Sequence, residues 1–164
     1  MSDAALVAVA EAVRTEYAAA YAASLISQNI SVVRIYKTRP KLEDLPEWDP
    51  SQSATLGAIR VFVSPDDEDE LPDERERSAL MFEYSINVGI AAKPATTDPV
   101  NVDPLHYLRE QLKDFFFREG ATLNGRQEGA TGIETITDMD RESLRDKGLF
   151  LAEFQLIFTG RRPQ

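Results

Sequence analysis

Two apolar strand patterns, Ala58–Val63 and Leu80–Ile90, flank the acidic stretch Ser64–Ser78, and this arrangement constrains the fold more than any other part of the chain. Strands so close in sequence can pair through a tight turn, yet their connection holds eight carboxylates and two arginines, Arg75 and Arg77. A long connection adds loop entropy that a two-residue turn avoids. It is therefore expected to project from the body, as a long loop or an extended hairpin, and to meet something else. Asp66, Asp67, Glu68, Asp69 and Glu70, with Arg75 and Arg77, are its candidate subunit or partner contacts.

The second of these strands is the cleanest in the chain. Leu80, Phe82, Tyr84, Ile86, Val88 and Ile90 alternate with Met81, Glu83, Ser85, Asn87 and Gly89, as in a strand with one face on a core. Ser31–Tyr36, Thr131–Asp138 and Leu149–Thr159 read as further strands, the last two joined by residues 141–148. Leu6, Val9, Val13, Tyr17, Ala20 and Ser24 follow steps of three and four, and ten alanines lie between Ala4 and Ala23. A helix is expected over about residues 3–26, capped by Ser2 or Asp3. A second helix runs from Pro104, with Asp103 as its cap, to about Arg118. Its Leu105, Leu108, Leu112, Phe115 and Phe116 share one face, whereas Phe117 lies on the side of His106, Glu110 and Lys113 and is expected to be more exposed.

Residues 37–56 hold Pro40, Pro46 and Pro50, show no period, and read as a second projecting segment. They carry the sole tryptophan, Trp48, which either packs on its own domain or anchors a partner, since tryptophan is enriched where interfaces bind tightly. Trp48 and Phe117 join the acidic residues as interface candidates. The order helix, strand, strand, strand, helix, strand, strand predicts one α+β domain over residues 1–164. Its sheet is mostly antiparallel, of about five strands, with the N-terminal and central helices packed on one face.

Charge restricts the partners. Eighteen basic against 28 acidic residues leave a net charge of −10, and residues 64–78 alone contribute −6. Holding DNA through its phosphates requires a basic surface, which this composition lacks overall. Arg126, Arg141, Arg145, Lys147, Arg161 and Arg162 leave room for a small basic patch in the last third. Without cysteine there is neither a disulfide framework nor a thiolate metal site. The first residues lack the basic region of a secretory signal, and no apolar run approaches the roughly 20 residues of a membrane span, so a protein kept in the cytoplasm is expected.

Chemistry is sparse. Asp103, the sole histidine His106 and Glu110 can share a helical side as a weak metal site, but Asp103 is better explained as a cap and Glu110 as a partner of His106 one turn away. Asp138, Asp140 and Glu142 resemble the start of a calcium loop, yet Ser143 and Leu149 stand where its glycine and closing glutamate belong. The glycines at 120, 125, 129 and 132 match neither a phosphate loop nor a dinucleotide fingerprint, and no nucleophile elbow is present. These readings point away from an enzyme, a metal or a cofactor.

Val32–Tyr36, Ile59–Pro65, the polar stretch ending in Glu74–Arg77, Phe82–Ile90, the helix Leu105–Phe117 and the closing strand Leu149–Phe158 together resemble the small neck and tail-completion proteins of tailed bacteriophages. The likeness covers nearly the whole chain from Ile30 onward and rests on the order of elements. It implies a non-enzymatic virion protein, tail-terminator-like, that forms a hexameric ring on the tail tube and joins it to the head. Its implied partners are the tail-tube and connector proteins, with DNA passing through an acidic channel without specific binding. Stopper and adaptor proteins of the neck share the pattern. A different class also fits the charge: a small acidic module that occupies a basic DNA-binding surface.

Overall fold

The alternation at Leu80–Ile90 lies inside a 16-residue strand that forms the middle of the sheet in a computed structural model describing residues 4–36, 45–52, 57–71, 79–118, 120–123 and 125–163. In chain order the elements are α1 (Ala5–Ala20), β1 (Ser31–Arg34), β2 (Glu47–Trp48), β3 (Ile59–Leu71), β4 (Ala79–Pro94), α2 (Pro99–Asp114), β5 (Gly129–Thr137), α3 (Arg141–Lys147) and β6 (Phe150–Pro163). The strand order is β1-β3-β4-β6-β5, with β2 beside the end of β4. The β3–β4, β4–β6 and β5–β6 pairs are antiparallel, whereas β1 runs parallel to β3 and β2 to β4. This is an α+β fold with a mostly antiparallel sheet. It has six strands and three helices among the described residues, where the sequence suggested about five and two.

Both long helices cover the same sheet face. Val9, Val13 and Tyr17 of α1 and Leu105, Leu108 and Leu112 of α2 share one buried cluster with Val61, Val63, Tyr84, Ile86, Val88, Phe154, Leu156 and Phe158. Each fully buried side chain of this size contributes roughly 1.5–3 kcal/mol, which makes this layer the main source of stability. On the opposite face only a small cluster forms, of Leu45, Phe62 and Ala91 with Ile35, Leu149 and Leu151 against it. Among the described residues no helix lies over the rest of that face.

Several boundaries differ from the sequence reading for local reasons. α1 stops at Ala20 and not near residue 26. Leu25 N–H returns to the Ala20 carbonyl and Ser24 N–H to that of Tyr21, with Ser24 at φ 58°, which is the hydrogen-bond pattern of a Schellman stop with serine in the place glycine usually takes. Its expected caps, Ser2 and Asp3, lie outside the described residues. α2 begins five residues earlier than expected: Asp98 precedes Pro99 at the first position, and Pro104 sits inside the helix instead of starting it. Asn101 fixes the earlier start, since its N–H reaches the Asp98 carbonyl and its amide donates to Thr96 Oγ1 at 2.8 Å. Residues 141–147 form α3, capped by Asp140 accepting from Ser143 N–H and closed by Gly148 at φ 64°.

Candidate functional site

The acidic stretch is a strand, not a loop, through Leu71. Asp67 to Leu71 pair in turn with Ser85 to Met81 of β4, after a bulge between Pro65 and Asp67 where proline supplies no N–H to the ladder. Residues 72–78, including Arg75 and Arg77, lie outside the described residues. β1 pairs with β3 only over Arg60–Val63, so no described strand covers the outer edge of β3 beyond that point. On the other side, β5 pairs with β6 as far as Thr159, while β6 continues beside β4 to Pro163. The acidic end of β3 and the parts of β4 and β6 level with it form an arm that keeps β5 alongside over Pro65–Asp69 and is three-stranded, among the described residues, only at Glu70–Leu71. From Pro65 to Leu71 β3 advances about 20 Å.

Register sorts the charges between faces. Asp67 and Asp69 pair with Ser85 and Glu83, on the side away from the helices, while Glu68 and Glu70 pair with Tyr84 and Phe82. Asp66, in the bulge, accepts from Gln155 Nε2 at 2.9 Å, and the same amide donates to Asn87 Oδ1 at 3.0 Å. Glu134 and Glu153 also turn to the helix-free face, the first beside Gln155. That face therefore bears Asp66, Asp67, Asp69, Glu83, Glu134 and Glu153 against Arg60, Lys93 and Arg161. Asp69 stands directly across from Glu83, an arrangement of like charges that destabilises a pair of strands.

Sequence reasoning missed the support of the arm. Glu128, 7% exposed, takes both Arg126 Nε at 2.9 Å and Nη2 at 2.7 Å, and the carboxylate holds the guanidinium pKa above its ordinary value. Its side chain lies against Gly160 of β6, where a Cβ would come within 2.5 Å of Glu128 Cγ. The Arg-x-Glu spacing inside a glycine-rich stretch was the only available signal.

The other interface candidates divide. Trp48 is 1% exposed and belongs to the main core, and Ala95 N–H donates to its carbonyl at 2.8 Å. It packs on its own domain and has no surface for a partner, which corrects its assignment as an interface residue. The described part of the segment 37–56 is likewise docked on the body through β2 and the buried Leu45, instead of projecting. Phe117, in the 3-10 turn Phe115–Phe117 that follows α2 against β5, is 42% exposed, and Ile136 of β5 is 51% exposed.

His106 stacks edge-on to Phe150 and accepts or shares a hydrogen bond with Arg109 Nη1 at 2.9 Å. Burial first, then the Arg109 charge, hold the imidazole pKa below its ordinary 6.5. The sequence reading made Glu110 the partner of His106; its ion pairs are instead with Arg109 at 3.0 Å and Lys113 at 3.8 Å. Among the described residues no three histidine, aspartate or glutamate side chains gather as metal ligands. The late basic residues do not converge either. α3, with Arg141, Arg145 and Lys147, joins the sheet where Asp140 N–H meets the Leu151 carbonyl, while Arg161 lies ten residues along the same strand, about 30 Å away.

Fold and site together define a class, an α+β protein whose sheet is covered by helices on one face and whose β3 runs on along β4 into an acidic arm. No family model matches the sequence, and no curated protein matches it.

Proposed function

We propose that this protein is a structural subunit of a tailed-phage neck, a ring of the tail-terminator kind that ends the tail tube and joins it to the head. The helix-free sheet face carries the reading, since among the described residues its carboxylates, Asp66, Asp67, Asp69, Glu83, Glu134 and Glu153 among them, outnumber its cations Arg60, Lys93 and Arg161. A wall of this sign beside a DNA path repels phosphates, so the duplex slides past instead of binding. The open strand edges of the arm supply surfaces for joining copies into a closed assembly. In this role the protein works without catalysis or cofactor, against tail-tube and connector proteins, assembled in the host cytoplasm and retained in the virion.

Negative-stain images and light scattering of the full chain test the proposal, alone and with tail tubes from the phage that encodes it. A six-fold ring, free or seated on tube ends, is expected. A monomer that leaves the tube ends bare removes the reading. A second reading, a module that occupies a basic DNA-binding surface, draws on the five exposed carboxylates of Asp66–Glu70 along a single strand. It predicts salt-sensitive competition with DNA for a basic protein, lost when those five residues are neutralised.

A further inference from the structure

One guanidinium ties α2 to the corner that leads from β5 into α3. The Arg109 side chain, 13% exposed, turns Nη1 toward two acceptors, His106 Nδ1 at 2.9 Å and the Asp138 main-chain carbonyl at 2.7 Å. Its Nε and Nη2 both donate to Glu110 Oε1, at 3.2 and 3.0 Å. A guanidinium donates and does not accept, so His106 Nδ1 carries a lone pair and the neutral ring keeps its proton on Nε2. A second proton has Nδ1 as its one place to go, where it removes the acceptor and sets two cations at hydrogen-bond distance. We propose that a proton on His106 opens this clasp and loosens the corner at Asp138–Asp140, so that α3 is held at neutral pH and released in mild acid. The clasp lies outside the acidic arm and is independent of the ring reading.

The charges around the ring set the direction of the effect. Arg109 disfavours the imidazolium, while Asp103 and Glu110 of α2 and Asp138, just past β5, favour it. From β6 comes the uncharged Phe150 ring, 5.1 Å away between centroids. The Glu110 and Asp138 side chains are 52% and 65% exposed and Asp103 is exposed as well, so water screens all three more than it screens the direct Arg109 contact. Burial and Arg109 accordingly keep the imidazole below its ordinary 6.5. Because the folded value is lowered, the stability carried by the neutral ring is intact above the unfolded pKa and is lost as pH falls through the folded one.

α3 is built to respond. None of its seven residues is buried, and a helix this short has little stability of its own. Besides the clasp, it is held to the body by the Asp140 N–H, which donates to the Leu151 carbonyl at 2.9 Å, and by the partly buried Met139 and Leu144. Segments with so few buried contacts open locally before the domain unfolds.

His106 is the sole histidine of the chain, so its ring signals in NMR report a single titration. The full chain is titrated from about pH 7.5 to about pH 5, across the ordinary histidine range, while hydrogen exchange, corrected for its intrinsic rate, follows the amides of residues 138–147. The ring is expected to titrate below 6.5. With the same midpoint the Asp140 amide should lose protection, by about tenfold for each pKa unit that separates the open from the closed corner. His106→Asn keeps an acceptor near the Nδ1 position and cannot titrate, so its corner should stay protected throughout. Arg109→Met should raise the His106 pKa toward 6.5 and leave the corner weakly protected already at neutral pH. A ring that titrates at or above 6.5, corner amides that stay protected while it protonates, or the same loss in acid from folded His106→Asn overturns the proposal.

Discussion

The phenolic oxygen of Tyr17 donates to the main-chain carbonyl of Leu112 at 2.7 Å, joining α1 to the last turn of α2 across 95 residues of sequence. Tyr17 is fully buried and packs on Phe115 and Phe116, with ring centroids 5.5 and 5.2 Å away. Carbonyls in the final turn of a helix run short of helical donors, so this hydroxyl satisfies one that burial would otherwise strand. Tyr17→Phe keeps the ring and loses the bond, and should lower unfolding stability by about 1–2 kcal/mol in urea titrations. Burial lifts the Tyr17 hydroxyl well above 10.0. Because the folded value is raised, the stability it carries is intact below the unfolded pKa and is lost as pH climbs toward the folded one. The unaltered chain should therefore weaken above about pH 10, and Tyr17→Phe should weaken less.

Gly160 should tolerate nothing larger. An added methyl meets Glu128 Cγ at 2.5 Å and Glu128 Cα at 3.4 Å, and Glu128 is held by Arg126 and cannot swing aside. Gly160→Ala is expected to cost about 1–3 kcal/mol by thermal or urea unfolding. Gly129→Ala, with no atom within 4 Å of the new Cβ, should be neutral or slightly stabilising. If Glu128 is the obstacle, Glu128→Ala should reduce the cost of Gly160→Ala, a coupling that a double-mutant cycle measures.

At the end of α1, Ser24 holds a positive φ of 58° to complete the helix stop. A side chain there is strained and glycine is not, so Ser24→Gly should raise stability by about 0.5–1 kcal/mol. A loss of stability would mean that the turn is held by something other than this backbone geometry.

Asp69 faces Glu83 across the arm. Asp69→Asn should stabilise the folded chain by roughly 0.2–1 kcal/mol, an effect that fades in 1 M salt.

The sequence made the centre of this molecule legible and obscured its margins. Alternation at Phe82–Ile90 and Phe150–Phe158 marked two of the inner strands, β4 and β6, because a strand with one helix-covered face must show it in period two. Asp67–Glu70 gave no such signal. Carboxylates are depleted in strands, and here the pairing is imposed by the long β4 partner, which local preference does not record. The start of α2 was misplaced at Asp103–Pro104 because an Asp-Pro pair also stands at Asp98–Pro99, where the contacts of Asn101 with Asp98 and Thr96 set the helix. The start signal of α3, Asp140 capping Ser143, and its stop signal, Gly148, stand in the sequence, but seven residues show too little periodicity to mark a helix. Trp48 was ambiguous because its loop neighbours reveal nothing of the core it enters. For the arm, its acidity was visible from the start, while its pairing with β4 required the strand order.

The proposed role stands on self-assembly, and native mass spectrometry of the intact chain over a concentration series, with and without phage tail tubes, tests that most directly. The predicted result is a single closed species at six times the 18.3 kDa subunit mass, whether free or released from tube ends. An 18.3 kDa species alone under every condition would contradict it.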